Sequence, residues 1–129
     1  MTMLPITSLY AALLALLLLV LSIQVSRARG ATRTNIGLGD DIRLLRASRA
    51  QGNFVEYVPM LVLLLLLLEV RGTGTLVLHA LGAAVVLGRI AHAWGIAQEP
   101  EQMIGRMIGI ILTYLPLLIG AVLLLVSLV

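Results

Sequence analysis

Arg49, Asn53 and Glu56 stand at i, i+4 and i+7 in Arg-Ala-Gln-Gly-Asn-Phe-Val-Glu-Tyr-Val-Pro, residues 49 to 59, with Arg46 one turn earlier. At about 100° per residue they leave one face of a helix as a polar stripe. Guanidinium groups grip carboxylates bidentately, a carboxamide offers both a donor and an acceptor, and a carboxylate takes an ammonium group. The set therefore suits a small zwitterionic ligand rich in carboxylates. Beyond Pro59 the chain is apolar from Met60 to Leu68, so the stripe runs from water into hydrocarbon and Glu56 is an ionisable group inside a membrane. Inserting such a group costs roughly 2.5 to 3.5 kcal/mol, and it normally faces a bundle interior and a partner. That partner is either protein or ligand.

Other polar side chains fall at the same depth. Asn53, Glu56, Arg89, His92 and Arg106 lie in the cytoplasmic half of the expected bundle, with Arg27 or Arg29 at its mouth. The outer half holds only His79, Glu69 and Arg71, the last two at helix ends within reach of water. A pocket open to the cytoplasm is the economical reading. Blander roles stand beside it. Arg49 and Glu56 form a structural ion pair in one alternative, and Arg89 is expected to neutralise Glu56 as a structural ion pair or to cap carbonyls. Arg106 either stabilises an anion or snorkels to the headgroups, and His92 is either a ligand contact or hydrogen-bonded packing. With two His far apart and no Cys, no metal site is expected.

The elements that must carry these residues follow from composition. The chain has 129 residues, of which 60% are hydrophobic and 12% charged, and a mean hydropathy of +1.10. That leaves too little polar surface for a soluble globule. About four spans of roughly 20 residues fit, as one domain over residues 1–129 with no soluble module. The lack of cysteine excludes a disulfide framework, a thiolate metal site and a cysteine nucleophile. All nine basic residues are Arg, giving a net charge of +3. They sit at helix ends and inside helices rather than on one solvated patch, which argues for membrane topology and against nucleic acid.

In chain order, the first span is Leu4 to Ile23, a retained helix, and Ser26 to about Gly39 reads as a loop. Asp40 or Asp41 caps helix 2, which runs to Val70. After the turn Gly72-Thr73-Gly74, helix 3 covers Leu76 to Ala97, with Trp94 in the aromatic belt. Helix 4 runs from about Gln102 to Leu128, with acidic residues before its start and a Gly105/Gly109 pair for close approach. Pro59 and Pro116 are expected to kink helices 2 and 4. Arg27, Arg29, Arg33 and Arg43 crowd the first connection while the second holds only Arg71, so both termini should face away from the cytoplasm.

The segment Arg49 to Pro59 resembles the signature of the MAPEG superfamily, the membrane-associated proteins of eicosanoid and glutathione metabolism. Gly88-Arg89-Ile90-Ala91-His92 is similar to the helix 3 segment of its prostaglandin E synthase branch, and Arg106 followed ten residues later by Pro116 matches helix 4. The small bacterial branch looks closer still. The resemblance implies an all-α protomer of four transmembrane helices, a homotrimer in a bacterial inner membrane, and glutathione as cosubstrate between protomers. Carried over, Arg49, Asn53 and Glu56 would hold glutathione, with Arg46, Tyr57 and His92 beside them and Arg27 or Arg29 supplied by the neighbouring chain. Arg106 would be the catalytic residue, stabilising the thiolate for attack on a lipophilic electrophile or for hydroperoxide reduction. A nearby cation does lower a thiol pKa from about 8.5, and the thiolate is the nucleophile. Two family tyrosine positions are Ile96 and Ile110 here. The competing functions are a non-catalytic glutathione- or lipid-binding membrane protein and a small multidrug transporter. Such transporters carry their glutamate in helix 1, which is bare in this chain.

Overall fold

A computed structural model describes residues 3–129. These form four helices and, among the described residues, no strand: α1 Pro5–Thr32, α2 Ile42–Val70, α3 Thr75–Ala97 and α4 Met103–Val126. All four are long and apolar enough to cross a membrane. Most of their large apolar side chains outside the helix contacts are exposed, Leu16, Leu63, Leu87 and Leu118 among them, as a surface solvated by lipid requires.

The expected ends hold for α2, α3 and α4 to within a few residues, and Asp41 is the cap of α2. Its carboxylate accepts the Arg43 backbone N–H at 2.8 Å and the Arg43 guanidinium at 2.8 Å. Those bonds favour the charged form and hold the Asp41 carboxyl down at about 2. Neither Pro59 nor Pro116 ends its helix.

The first connection differs from its expectation. Ser26 to Thr32 is helix, not loop, and α1 ends only where Arg33 turns left-handed at φ 54°. The segment lacks apolar periodicity because it buries little, but Ala and Arg are strong helix formers and nothing before Arg33 breaks the backbone ladder. Arg29 then ties the turn down, its guanidinium donating to the carbonyl of Gly37 at 2.7 Å and of Thr34 at 3.4 Å.

Two apolar clusters hold the bundle. One joins Leu14, Leu21, Phe54, Leu61 and Val85, and the other joins Ile6, Leu65, Leu68, Leu78 and Leu81 at the far end. There Glu69 turns back into the protein rather than out to water. Its two oxygens accept the Ile6 and Thr7 backbone N–H groups at 3.0 and 2.7 Å, which satisfies orphan donors at the positive end of α1. His79 Nδ1 lies 3.0 Å from the Tyr10 hydroxyl.

The α3/α4 seam matters most for the site. Gly105 and Gly109 do meet the neighbouring helix, and α3 answers with Gly88 and Gly95. A Cβ on Gly109 would lie 2.5 Å from His92 Cβ and 2.7 Å from the Gly88 carbonyl oxygen, and one on Gly95 would lie 2.7 Å from the Arg106 nitrogen. Small residues on both sides let the backbones touch. That contact sets Arg89 and His92 of α3 beside the start of α4.

Candidate functional site

At the end of the bundle that carries the α1–α2 and α3–α4 connections, a cavity of about 500 Å³ opens between α2, α3 and α4. Arg46, Arg49 and Asn53 line it from α2, His92 and Ile96 from α3, Arg106 from α4, and Pro100 and Glu101 from the connection between the last two helices. The i, i+4 stripe of α2 thus faces one wall, as its spacing requires.

Asn53 is held from behind. Arg89, only 2% exposed, donates from Nη1 to Asn53 Oδ1 at 2.6 Å and from Nη2 to the Gly109 carbonyl at 3.3 Å. A second contact from Nη1 reaches the Asn53 backbone carbonyl at 3.4 Å. The expected ion pair between Arg89 and Glu56 is therefore corrected: among the described residues Arg89 has no carboxylate partner, its two Nη atoms reach amide and carbonyl oxygens as in the carbonyl-capping alternative, and its buried Nε has no hydrogen-bond partner. Glu56 follows Asn53 by one turn on the same stripe of α2, but its side chain is 48% exposed. It meets Arg49 instead, at 3.6 Å.

This arrangement fixes the amide. Arg has no acceptor, so the oxygen of Asn53 must face Arg89 and its NH₂ is left for the cavity. The groups that can address a ligand there are then the guanidiniums of Arg46, Arg49 and Arg106 and an amide donor. A cavity lined by donors and positive charge selects an anion with several oxygens.

In the free chain the cations are partnered by carboxylates. Arg106 Nη1 lies 2.9 Å from Glu101 Oε2, and Arg46 Nη1 lies 3.3 Å from Glu99 Oε1. Both glutamates come from the α3–α4 connection. Their sequence position suggested only that they complement the positive end of α4; their spatial role as cavity partners was not legible. The buried Nε of Arg106 has no hydrogen-bond partner among the described residues.

The structure thus brings Arg46, Arg49, Asn53, His92 and Arg106 round one cavity. It leaves Glu56, Tyr57, Arg27 and Arg29 outside the lining. Arg27 is exposed on α1, Arg29 holds the loop described above, and the Tyr57 hydroxyl meets that of Tyr114 at 3.0 Å. Ile96, at one of the departed tyrosine positions, contributes an apolar wall.

The chain is similar in sequence to known proteins. Inner membrane protein YecN of Escherichia coli (strain K12) is 39% identical over 90 residues, covering 70% of this chain and 69% of that protein. Its counterpart in a second Escherichia coli strain matches to the same extent. The profile of the MAPEG family matches residues 7–126. With four apolar spanning helices and that match over nearly its whole length, the chain is a multi-pass membrane protein and belongs to the MAPEG family.

Proposed function

We propose that this protein is a glutathione-dependent transferase of the bacterial inner membrane. The observation that carries the reading is the donor-lined cavity, in which Arg46, Arg49, Arg106 and the Asn53 amide converge on a volume of about 500 Å³. Glutathione brings two carboxylates and two peptide carbonyls to such a wall, and its ammonium group suits Glu56 or Glu101. Arg106 takes the thiol end. A guanidinium beside the sulfur favours the thiolate, which attacks an electrophilic carbon or the oxygen of a hydroperoxide. The electrophile is lipophilic and comes from the bilayer.

The assembly belongs to the same proposal. A homotrimer would lay a neighbouring chain's Arg27 or Arg29 against the outward Arg49–Glu56 pair, which is half-exposed on a single chain. Both termini then lie on the non-cytoplasmic side, as the arginine distribution favours. Ile96 in the cavity wall favours one second reading, a protein that binds glutathione without turning it over.

Titrating glutathione into the detergent-solubilised protein at neutral pH, with the ultraviolet absorbance of the bound thiolate as readout, separates the two. A thiolate signal in the wild type, lost in Arg106→Ala while binding persists, is the expected result. Binding with no thiolate would leave the non-catalytic reading. No binding would sink both.

A further inference from the structure

A smaller polar cavity, of about 140 Å³, lies beside the first between α1, α2 and α3. Gln24 lines it from α1, Arg43, Arg46 and Ala47 from α2, Ala93 from α3, and Glu99 from the α3–α4 connection. The two cavities share Arg46 as a wall. Alanine on the facing helices leaves open the space that a longer side chain would fill. Both guanidiniums keep donors for that space: Arg43 gives Nε and Nη2 to Asp41, and Arg46 sets Nη1 against Glu99 at 3.3 Å, which leaves further N–H groups on each.

Helix rise fixes the depth of this cavity. At about 1.5 Å per residue, Gln24 lies about 29 Å along α1 from Pro5, Ala93 about 27 Å along α3 from Thr75, and Arg43 about 40 Å along α2 from Val70. A hydrocarbon core is about 30 Å thick, and the bilayer with its headgroups about 40 to 45 Å. The floor of the cavity therefore lies where acyl chains end, and its rim among the headgroups. The α1–α2 connection that leads to Arg43 exposes Ile36 by 93% and Leu38 by 40%, apolar side chains that suit an interface better than water.

We propose that this cavity binds a phosphate carrying an ammonium arm, the phosphoethanolamine group borne by a membrane lipid or free in solution. The phosphate oxygens take the remaining N–H groups of Arg43 and Arg46, a forked donor set suited to phosphate, together with the Gln24 amide. The ammonium takes Glu99, whose side chain is 68% exposed and has lone pairs beyond those facing Arg46. A wall of both signs fits a zwitterion better than a bare anion, which Glu99 would repel. A trimethylammonium group fits poorly, because it has no N–H for the carboxylate and its methyl groups crowd so small a space. The depth favours the lipid as the source. This site stands whatever the larger cavity binds, and since Arg46 serves both, Arg43 and Glu99 are the residues to change.

Native mass spectrometry tests it on the full-length protein in detergent, given an equimolar mixture of phosphatidylethanolamine, phosphatidylcholine and phosphatidylglycerol with identical acyl chains. The ratio of adducts is read within one sample, so the folded fraction cancels. In the wild type, ethanolamine adducts should exceed choline and glycerol adducts about two- to tenfold, the range for a single hydrogen bond. Glu99→Gln should bring the ethanolamine-to-choline ratio towards one. Arg43→Gln should lower ethanolamine adducts by a similar factor, and so should Ala47→Leu, which fills the cavity and leaves every charge in place. A ratio near one in the wild type, or a wild-type ratio in Glu99→Gln with undiminished adducts in Arg43→Gln, would overturn the proposal and leave these arginines as topology signals. Soluble phosphoethanolamine added as competitor separates the sources: displacement of the lipid supports the free group, and no displacement supports the lipid. Equal displacement by inorganic phosphate would overturn the assignment of the ammonium to Glu99.

Discussion

Replacing Glu101 by Gln should tighten glutathione binding. The Glu101 carboxylate lies 2.9 Å from Nη1 of Arg106, the guanidinium that the proposed function assigns to the thiol end of glutathione. The two side chains are 40% and 30% exposed, so the pair belongs with partly solvated ion pairs worth about 0.2 to 1 kcal/mol. Removing the competing charge should lower Kd by that amount, about 1.4- to fivefold, and the gain should shrink with added salt as screening weakens the pair at a Debye length of about 10 Å in 0.1 M salt. Gln keeps the shape and a carbonyl oxygen, so the connection's packing is preserved and the change is one of charge. Isothermal titration of glutathione and of S-methylglutathione into wild type and Glu101→Gln measures it. With the methyl thioether the gain should be smaller, because no thiolate then reaches Arg106. Weaker binding of both ligands by Glu101→Gln would refute the reasoning and make Glu101 a partner of the glutathione ammonium group instead of a competitor at Arg106.

Three further outcomes follow from the same contacts. Asn53→Leu leaves the buried Arg89 without its 2.6 Å charge-assisted bond, so unfolding from mixed micelles should show a loss of about 1.5 to 3 kcal/mol, and glutathione affinity should fall with it. Gly109→Ala puts a methyl group 2.5 Å from His92 Cβ; overpacking of this kind costs about 1 to 3 kcal/mol, and the same micelle assay should detect it together with a weakened site. Asp41 is charged in the folded chain down to about 2 against an ordinary 3.8. Its stabilising contribution is thus complete above pH 4 and lost as pH falls towards 2, and Asp41→Asn, which still caps the helix, should flatten the acid limb of the stability profile in that window.

What was legible in the sequence is what periodicity and depth encode. Four apolar runs gave four spans, and the i, i+4 spacing of Arg49 and Asn53 put them on one cavity wall, because angle round a helix is fixed by its geometry. Interhelical partners are not so fixed. Glu56 was assigned the bundle interior on the cost of its charge; it shares the stripe of Arg49 and Asn53, yet its side chain is 48% exposed and paired with Arg49, which angle round the helix alone does not decide. Arg89 was given either a carboxylate or backbone carbonyls; the structure supplies the carbonyls of Asn53 and Gly109 and the Asn53 amide oxygen, and no local pattern marks which of the two it takes. Glu99 and Glu101 looked like helix-end charges, and only the fold of the α3–α4 connection brings them to Arg46 and Arg106. The extension of α1 past Ile23 was hidden for a different reason: apolar periodicity reports burial, and a solvated Ala/Arg segment can be helical without it.

Pairing three cavity arginines with carboxylates of the same chain has a consequence for the chemistry. Three unpaired guanidiniums converging within one cavity would repel each other across a medium less screened than water. Glu56, Glu99 and Glu101 partner these arginines at 3.6, 3.3 and 2.9 Å, so in the proposed complex a ligand's carboxylates exchange for the protein's own. Exchange of like for like spares the guanidiniums their desolvation cost on binding, so affinity is set by fit and by the Asn53 amide more than by net charge. The three glutamates differ in what they release: Glu99 and Glu101 sit on a connection between helices, whereas Glu56 is fixed on α2 beside Arg49. In the proposed complex the two connection carboxylates are the ones exchanged, while the Arg49–Glu56 pair is engaged as it stands, guanidinium to a ligand carboxylate and Glu56 to an ammonium. A zwitterion satisfies both halves of that fixed pair, which a simple dicarboxylate does not. Glutaric acid and glutathione, titrated side by side, should differ in affinity, and Glu56→Gln should narrow the difference by weakening glutathione alone.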